Sequence, residues 1–518
     1  MSFTPTIELL SQYRVALLCV FATAYVVARA RRAARLPPGP RGLPLLGNVL
    51  QLGTHQWVQM AKWSKQYGPI YSLNFLGKPA IVISSHKVAA DLLDKRSAIY
   101  SDRPRLIMTG EVLSGSLFFA FLSYGDAFKK LRRAAWEGLN PRASEDYLPI
   151  QEREAVLLVE ALSQDSEHWS DHVKREIASI TLSFSYSLPP LTANDPLIKR
   201  VATFDHTLEE AARPGAYLVE IFPWLNYFPV WMSKWKQDGN RWHEHYSAMF
   251  LDFYRDAKKR AAAEECGPCV SSVIMKNKEI NEKEAAWVAG TLFATGSSTT
   301  SAAQHVFILA MLLFPDVMRK AQAQIDEVVG RDRLPNAGDR AHLPYIRAMV
   351  RETLRWKAIG PLGLPHELNR DDVYEGYLIP KGAMVFYNLW AMNSDPEVYP
   401  EPERFRPERF LDETEITEVI PPNTHGEGHL AFGYGRRTCV GNSVTNNTLF
   451  LNIATLLWAF NIQKAKDKNG TVITPDVNNF VDHVNVNHPA PFPASFVYRH
   501  SDVPHVLASS KSERMSLL

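Results

Sequence analysis

The chain of 518 residues holds only four cysteines, Cys19, Cys266, Cys269 and Cys439, too few and too scattered for a disulfide-stapled scaffold. That scarcity points to a reducing compartment. Charge of either sign is not in excess: 57 basic against 55 acidic side chains leave a formal net charge of +2, which excludes a general electrostatic grip on nucleic acid. No self-similar period runs along the sequence, so a solenoid is excluded as well. The polar bias of a disordered chain is also missing. With 46% hydrophobic and 22% charged residues, there is enough apolar material for a sizeable core.

What is present begins with an apolar, uncharged stretch from Val15 to Ala28, extending back to Ile7 if Arg14 snorkels and Glu8 lies at the interface. That length is just adequate, since about 20 residues span a bilayer. Arg29, Arg31, Arg32 and Arg35 follow it, and basic residues in that place hold the following chain in the cytoplasm. A cleaved signal peptide has the reverse order, with its charges first. The expectation is a retained single-pass anchor over residues 1–35, a body over 36–500 and a polar C-terminal tail over 501–518.

Leu36 to Pro44 is proline-rich and reads as a stiff extended spacer. Ile70–Phe75 and Ala80–Ile83, separated by Gly77-Lys78-Pro79, read as a small hairpin. Most of the remainder reads as helix. One apolar run without proline, from about Glu284 to Leu313, predicts a very long buried helix ending at Phe314-Pro315. Cys266-Gly267-Pro268-Cys269 copies a redox tetrapeptide, yet it follows a charged helical run rather than a strand, so it reads as a surface loop.

The chemistry concentrates at Phe432-Gly433-Tyr434-Gly435-Arg436-Arg437-Thr438-Cys439-Val440-Gly441, ahead of an apolar helix from Leu449 to Phe460. Glycines let the backbone approach something flat and bulky. Backbone N–H groups aimed at the sulfur stabilise a thiolate, and arginine neutralises an acidic cofactor edge. These features together fit heme, and a thiolate ligand pushes heme iron toward O–O bond cleavage.

The segment resembles the Phe-x-x-Gly-x-Arg-x-Cys-x-Gly signature of the cytochrome P-450 superfamily, with every fixed position filled. The resemblance covers roughly Leu36 to His500 and is greatest to fungal microsomal members of natural-product pathways. It implies the cytochrome P-450 fold, mainly α with small β-sheets, as a single catalytic domain behind a transmembrane helix. It implies heme b, with Cys439 as iron ligand and Phe432, Gly433, Arg437 and Gly441 in the cofactor loop. Glu352 and Arg355 are similar to the family's Glu-x-x-Arg helix, and Arg409 completes a buried triad locking the loop before the cysteine. Arg132 matches an arginine that holds a heme propionate, while Phe128 stands where tryptophan is usual. His366 falls where a second propionate partner is placed, and a plain loop histidine is the competing view. The stretches Tyr377–Gly382 and Asn388–Ala391 are similar to a β-segment and the strand after it.

On the long helix, Gly296 matches a glycine that allows a groove beside the iron, and Thr299 matches the hydroxyl that orders water for proton delivery. Ser298 stands where the family usually has Asp or Glu, and a hydroxyl is no acid at neutral pH. Three readings stay open: slower or re-routed oxygen chemistry, substrate-assisted proton supply, or peroxide-driven or rearrangement chemistry. The family's electrons come from NADPH through a separate reductase, with cytochrome b5 a second candidate donor. The basic run near Lys129–Arg133, with Arg436 or Arg437, is a docking patch or ordinary surface charge.

Substrate-facing segments by the same resemblance are Leu106–Ser123, Pro214–Trp231, Phe293–Ser297, Ile359–Leu364 and a turn near Phe480, mostly apolar and aromatic. Core or membrane-contact surface would look the same in sequence. The expected activity is monooxygenation of a hydrophobic small molecule at the endoplasmic reticulum membrane, with the body in the cytosol. Terpenoid, polyketide and indole substrates remain open, and a non-catalytic heme-binding or sensing protein is the competing class.

Overall fold

A computed structural model describes residues 35–192, 195–483 and 486–516, with isolated positions 16, 20 and 23 before them. The anchor expected over residues 1–35 therefore lies almost wholly outside the described residues. Among the described residues, no single helix is long and apolar enough to cross a membrane.

The longer helices in chain order are α1 (Gln56–Tyr67), α2 (Asp126–Leu139), α3 (Leu148–Gln164), α4 (Trp169–Tyr186), α5 (Pro196–Ala212) and α6 (Lys234–Ala262). They continue with α7 (Glu282–Leu313), α8 (Pro315–Val328), α9 (Pro344–Trp356), α10 (Asn442–Ala459) and α11 (Val503–Ser516). Helix α7 is the predicted long helix, and it starts where its cap is. The Asn281 side chain accepts from the Glu284 N–H while the Glu284 carboxylate accepts from that of Asn281, satisfying two orphan donors at once. It stops at Pro315, which cannot continue the ladder. Because α7 is apolar nearly all round, it runs through the core rather than over it, and α4 packs along it with Thr181 Oγ1 2.9 Å from Ser297 Oγ.

The expected hairpin is there. Strands β1 (Ile70–Phe75) and β2 (Lys78–Ile83) pair antiparallel from Ile70↔Ile83 to Phe75↔Lys78, turning through Leu76 and Gly77, both at positive φ. After β3 (His366–Glu367), β4 (Asp372–Tyr374) and β5 (Tyr377–Ile379) comes β6 (Met384–Tyr387), which lies parallel to β2 and antiparallel to β3. The sheet order is β1-β2-β6-β3. The stretch Asn388–Ala391, expected as a strand, is instead the start of a short helix over Leu389–Asn393. The Asn388 side chain accepts from the Ala391 N–H at 3.0 Å, the role asparagine fills well at an N-cap, and the strand ends just before it.

The segment beyond residue 500, read as a polar tail, forms α11 and docks on α3. Val503, Val506 and Leu507 are buried, and Lys511 Nζ reaches both oxygens of Glu160 at 2.8 and 2.7 Å. The Cys266/Cys269 pair has its sulfurs 3.8 Å apart. Cys269 is core rather than loop surface, and burial pushes its thiol up to about 12, the opposite of the acidic thiol a redox site needs.

Candidate active site

Between α7 and the loop before α10 lies a cavity of about 360 Å³, lined on one side by Cys439 and on the other by Thr295, Gly296, Ser298 and Thr299. Gly433 and Gly435 take φ of 72° and 52°, a conformation other residues resist, and a side chain at Gly435 would strike the Leu93 carbonyl. The loop is closed by the Cys439 N–H donating to Phe432 O at 2.8 Å. The exposed surface of Cys439 opens into the cavity, while protein encloses the sulfur elsewhere. Burial raises the thiol, partly offset by the Gly441 N–H and by the charge of Arg132.

Three guanidinium groups line the Cys439 side, Arg103, Arg132 and Arg437, and among the described residues none forms an ion pair with a carboxylate. Each is anchored to carbonyls instead. Arg103 Nη1 donates to Leu364 O and Pro365 O at 2.6 and 2.7 Å, Arg132 donates to Thr438 O, and Arg437 donates to Ser101 O and Leu122 O at 2.8 and 2.7 Å. Arg103 Nε and Arg437 Nη1 are left without a partner. Burial, then the neighbouring arginine charges, pull Arg437 down to about 9, and burial takes Arg103 to about 10. Buried cations with unspent N–H groups call for an anion. Beside a thiol at the cavity wall, they fit a flat macrocycle with two acidic arms, so the residues present fit heme. Phe128, which has no N–H to give, lies under Arg437 with the guanidinium carbon 3.7 Å from the ring centroid, a cation–π platform in place of a donor.

Arg103 was not legible in the sequence, where it is one arginine among several in Asp102-Arg103-Pro104-Arg105. His366, which was singled out, sits behind this wall on β3. Its Nδ1 is 2.6 Å from Tyr100 O, and burial, then Arg103 and Arg437, hold it well below its usual pKa. A neutral ring donating from Nδ1 has only a lone pair at Nε2. The donor facing the cavity at this edge is Arg103, and His366 fits the plain structural reading.

The triad is fully assembled beneath the loop. Arg355 makes a bidentate pair with Glu352 at 2.6 and 2.8 Å, and Arg409 Nε reaches the same carboxylate at 3.4 Å. The Arg406 N–H adds a bond to Glu352 at 2.8 Å. The remaining guanidinium N–H groups tie down the approach to the loop through Asn393 O, Pro400 O, Glu401 O and Pro402 O. Glu352 and Arg355 have no solvent exposure.

On the opposite wall, Thr299 Oγ1 donates to Thr295 O at 2.7 Å and Thr295 Oγ1 donates to Thr291 O at 2.8 Å. Each hydroxyl proton is held by the helix, so the lone pairs are what these residues offer the cavity. Gly296 lines the cavity too, but a side chain there would press on Thr181 Cγ2 at 3.2 Å. Its bareness therefore serves the close approach of α4 as well as any groove.

Of the expected substrate-facing segments, three line the cavity, through Phe118, Phe119 and Phe121, through Ala294 to Gly296, and through Ile359 to Leu364. Pro214–Trp231 does not. It buries Val219 against Ile107 and Met108 and turns its aromatic residues outward, with Trp224, Tyr227 and Trp231 exposed at 57%, 91% and 77%. Phe480 is also absent from the lining, and Val486 stands there. The sequence reading missed the wall built by α4 and α5, which contributes Ile177, Ile180, Phe184, Leu208 and two carboxylic acids, Asp205 and Glu209.

A thiol facing a hydroxyl-bearing helix across an apolar cavity, with a ring of unpaired arginines at the thiol's side, defines a heme-thiolate protein. The family model for cytochrome P-450 matches residues 37–483, and the chain belongs to that family. It is 46% identical over 499 residues to cytochrome P-450 monooxygenase 253 of Postia placenta, covering 96% of this chain and 94% of that protein. A cytochrome P-450 monooxygenase of Armillaria gallica is 42% identical over 501 residues, 96% of each chain. Cytochrome P-450 monooxygenase claR of Ampulloclitocybe clavipes is 37% identical over 496 residues, 94% and 90% of the two chains.

Proposed function

We propose that this protein is a membrane-anchored fungal monooxygenase of secondary metabolism, oxidising an apolar small molecule with electrons relayed from NADPH by a separate reductase. The observation that carries this reading is the single cavity that joins Cys439 to Thr299 through apolar and aromatic walls. When bound, a thiolate-ligated heme supplies reductive activation of dioxygen. Cys439 holds the iron, and Arg103, Arg132 and Arg437 hold the acidic edge. Phe118, Phe121, Ile177 and Phe184 exclude water and orient the substrate. Thr299 and Ser298 hold water at the distal wall, and the absence of a carboxylic acid beside Thr299 leaves proton transfer to that water chain.

Two surfaces support the cellular part of the proposal. Leu218, Phe222, Trp224, Tyr227 and Trp231 make an exposed apolar patch of the kind that meets a lipid surface, which suits an enzyme of the endoplasmic reticulum. Arg436 is exposed beside Tyr124 and Lys129, which suits an acidic electron-donor surface, the reductase or cytochrome b5.

The test is twofold. The reduced, carbon-monoxide-bound difference spectrum of the purified protein shows a thiolate-ligated heme, and added reductase supports NADPH-dependent product formation that peroxide alone does not match. Turnover with peroxide and none with reductase would instead establish the peroxide-driven reading, one of the three that Ser298 leaves open. Where proton supply limits the rate, Ser298→Asp raises the ratio of product formed to NADPH consumed several-fold, because the new carboxyl lines the same wall. An unchanged ratio removes proton supply as the limit.

A further inference from the structure

Beneath the cavity lies a layer of buried polar side chains that the apolar walls do not explain. Helices α3, α4, α7 and α10 pack in a ring, each against two of the others. Ile180 of α4, Thr300 of α7 and Thr448 of α10 line the cavity. Glu176, Gln304 and Asn452 stand four positions from them in turn, hence one turn away on the same helix faces, and all three are buried. The packing sets them at one level. Ser170 Oγ is 2.8 Å from His305 Nε2 and Thr181 Oγ1 is 2.9 Å from Ser297 Oγ, so α4 and α7 run antiparallel with Glu176 and Gln304 between the two contacts. Asn452 stands within reach of the Glu176 carboxyl from α10.

Hydrogen bonds of good geometry do not close this layer. None reaches either oxygen of Glu176, either polar atom of the Gln304 and Asn452 amides, or Thr455 Oγ1 one turn beyond Asn452. Buried groups of this kind are satisfied by ordered water. Thr448 joins the layer to the cavity, since it lines the cavity one turn before Asn452 while its Oγ1 accepts from Gln151 at 2.7 Å. The charged groups around Glu176 are Arg175 on its own helix and Glu154 of α3, the latter paired with Arg153 and Arg175. From α7 and α10 the layer receives the neutral amides Gln304 and Asn452. Burial pushes the Glu176 carboxyl up to about 8, with Arg175 and Asn452 opposing the shift, so at neutral pH it carries its proton.

We propose that Glu176 is the proton donor for the distal wall, acting through water held by Gln304, Asn452 and Thr448 toward the Thr299 side of the cavity. In the step, the carboxyl O–H bond breaks, its electron pair stays on the carboxylate beside Arg175, and the proton moves along the water chain. Solvent water that fills the cavity before the next substrate binds restores it. The assignment rests on the monooxygenase reading above and supplies the acid that Ser298 is not.

The experiment compares the unmodified full chain with Glu176→Gln and Glu176→Asp. Infrared difference spectra recorded against pH need no heme. In them the unmodified protein shows a protonated-carboxyl band that fades as pH rises through about 8 and that Glu176→Gln lacks. With heme and reductase, Glu176→Gln lowers the ratio of product formed to NADPH consumed at neutral pH by at least about fivefold, and Glu176→Asp restores part of it. In the unmodified protein the same ratio falls above about pH 8, because deprotonation empties the donor, whereas in Glu176→Gln it stays flat. A merely structural Glu176 would change melting temperature and heme content but leave the ratio alone, since the ratio does not depend on the fraction of protein loaded. An unchanged ratio in Glu176→Gln, or infrared spectra that this variant leaves untouched, overturns the proposal. The pH profile of the unmodified protein decides even if a variant folds poorly, and a ratio that holds steady through that range overturns it too. The reduced carbon-monoxide spectrum of the same preparation separates the two readings. A normal thiolate spectrum with an unchanged ratio sinks the Glu176 donor alone, whereas a missing thiolate spectrum sinks the monooxygenase reading.

Discussion

Cys439→Ser is expected to abolish the thiolate-type carbon-monoxide spectrum and to lower monooxygenation by at least about a thousandfold, roughly 4 kcal/mol in the activation barrier. The change should leave the fold nearly untouched. The cysteine is held through its backbone N–H to Phe432 O, which serine keeps, and Gly433 and Gly435 shape the loop without reference to the sulfur. Arg103, Arg132 and Arg437 remain in place to hold an acidic cofactor edge. The variant should therefore retain heme in part while losing the electronic character that the thiolate confers. Heme content by pyridine extraction, read beside the carbon-monoxide spectrum and product formation, checks all three. Substantial activity in the serine variant would remove Cys439 from the role of iron ligand.

Glu352→Ala is expected to fail in the opposite way, by losing the fold around the site. The substitution leaves Arg355 with an unpaired charge in a place without solvent exposure, and removes the acceptor shared with Arg409 and the Arg406 N–H. Breaking a buried pair at one member costs about 3–5 kcal/mol, comparable to the whole margin of about 5–15 kcal/mol that holds a typical domain together. The expected product is heme-free, aggregation-prone protein. Arg355→Ala should behave similarly, because it strands the Glu352 carboxylate and frees Asn393 O and Pro402 O. Urea midpoints and heme content measure the effect, and normal heme loading in either variant would show that the triad does not lock the loop.

Those two sites were legible in the sequence because their residues are contiguous or one turn apart. Phe432 to Gly441 is one loop, and Glu352 and Arg355 face each other by helical spacing. The hairpin was legible from its Gly-Lys-Pro break, and α7 from its apolar length. Arg103 was not, since what makes it a cavity residue is its tie to Leu364 and Pro365, 261 and 262 positions away. The α4–α5 wall was hidden for a related reason. Periodicity says which face of a helix is apolar, but not whether that face meets another helix or an open chamber. Glu209 and Glu210 are adjacent in sequence. One lines the cavity and the other is exposed, a difference set by the rotation of α5 that no composition reveals. Pro214–Trp231 misled in the other direction, its aromatic density serving an outer surface rather than an inner one.

The docking of α11 on α3 bears on how the protein is made. Lys511 closes onto Glu160 across 351 positions of chain, and Val503, Val506 and Leu507 complete a core that α3 began. Until residue 511 has left the ribosome, that face of α3 has no cover. The helical body therefore cannot be finished vectorially during synthesis, and the nascent chain carries exposed apolar surface on α3 until α11 has emerged.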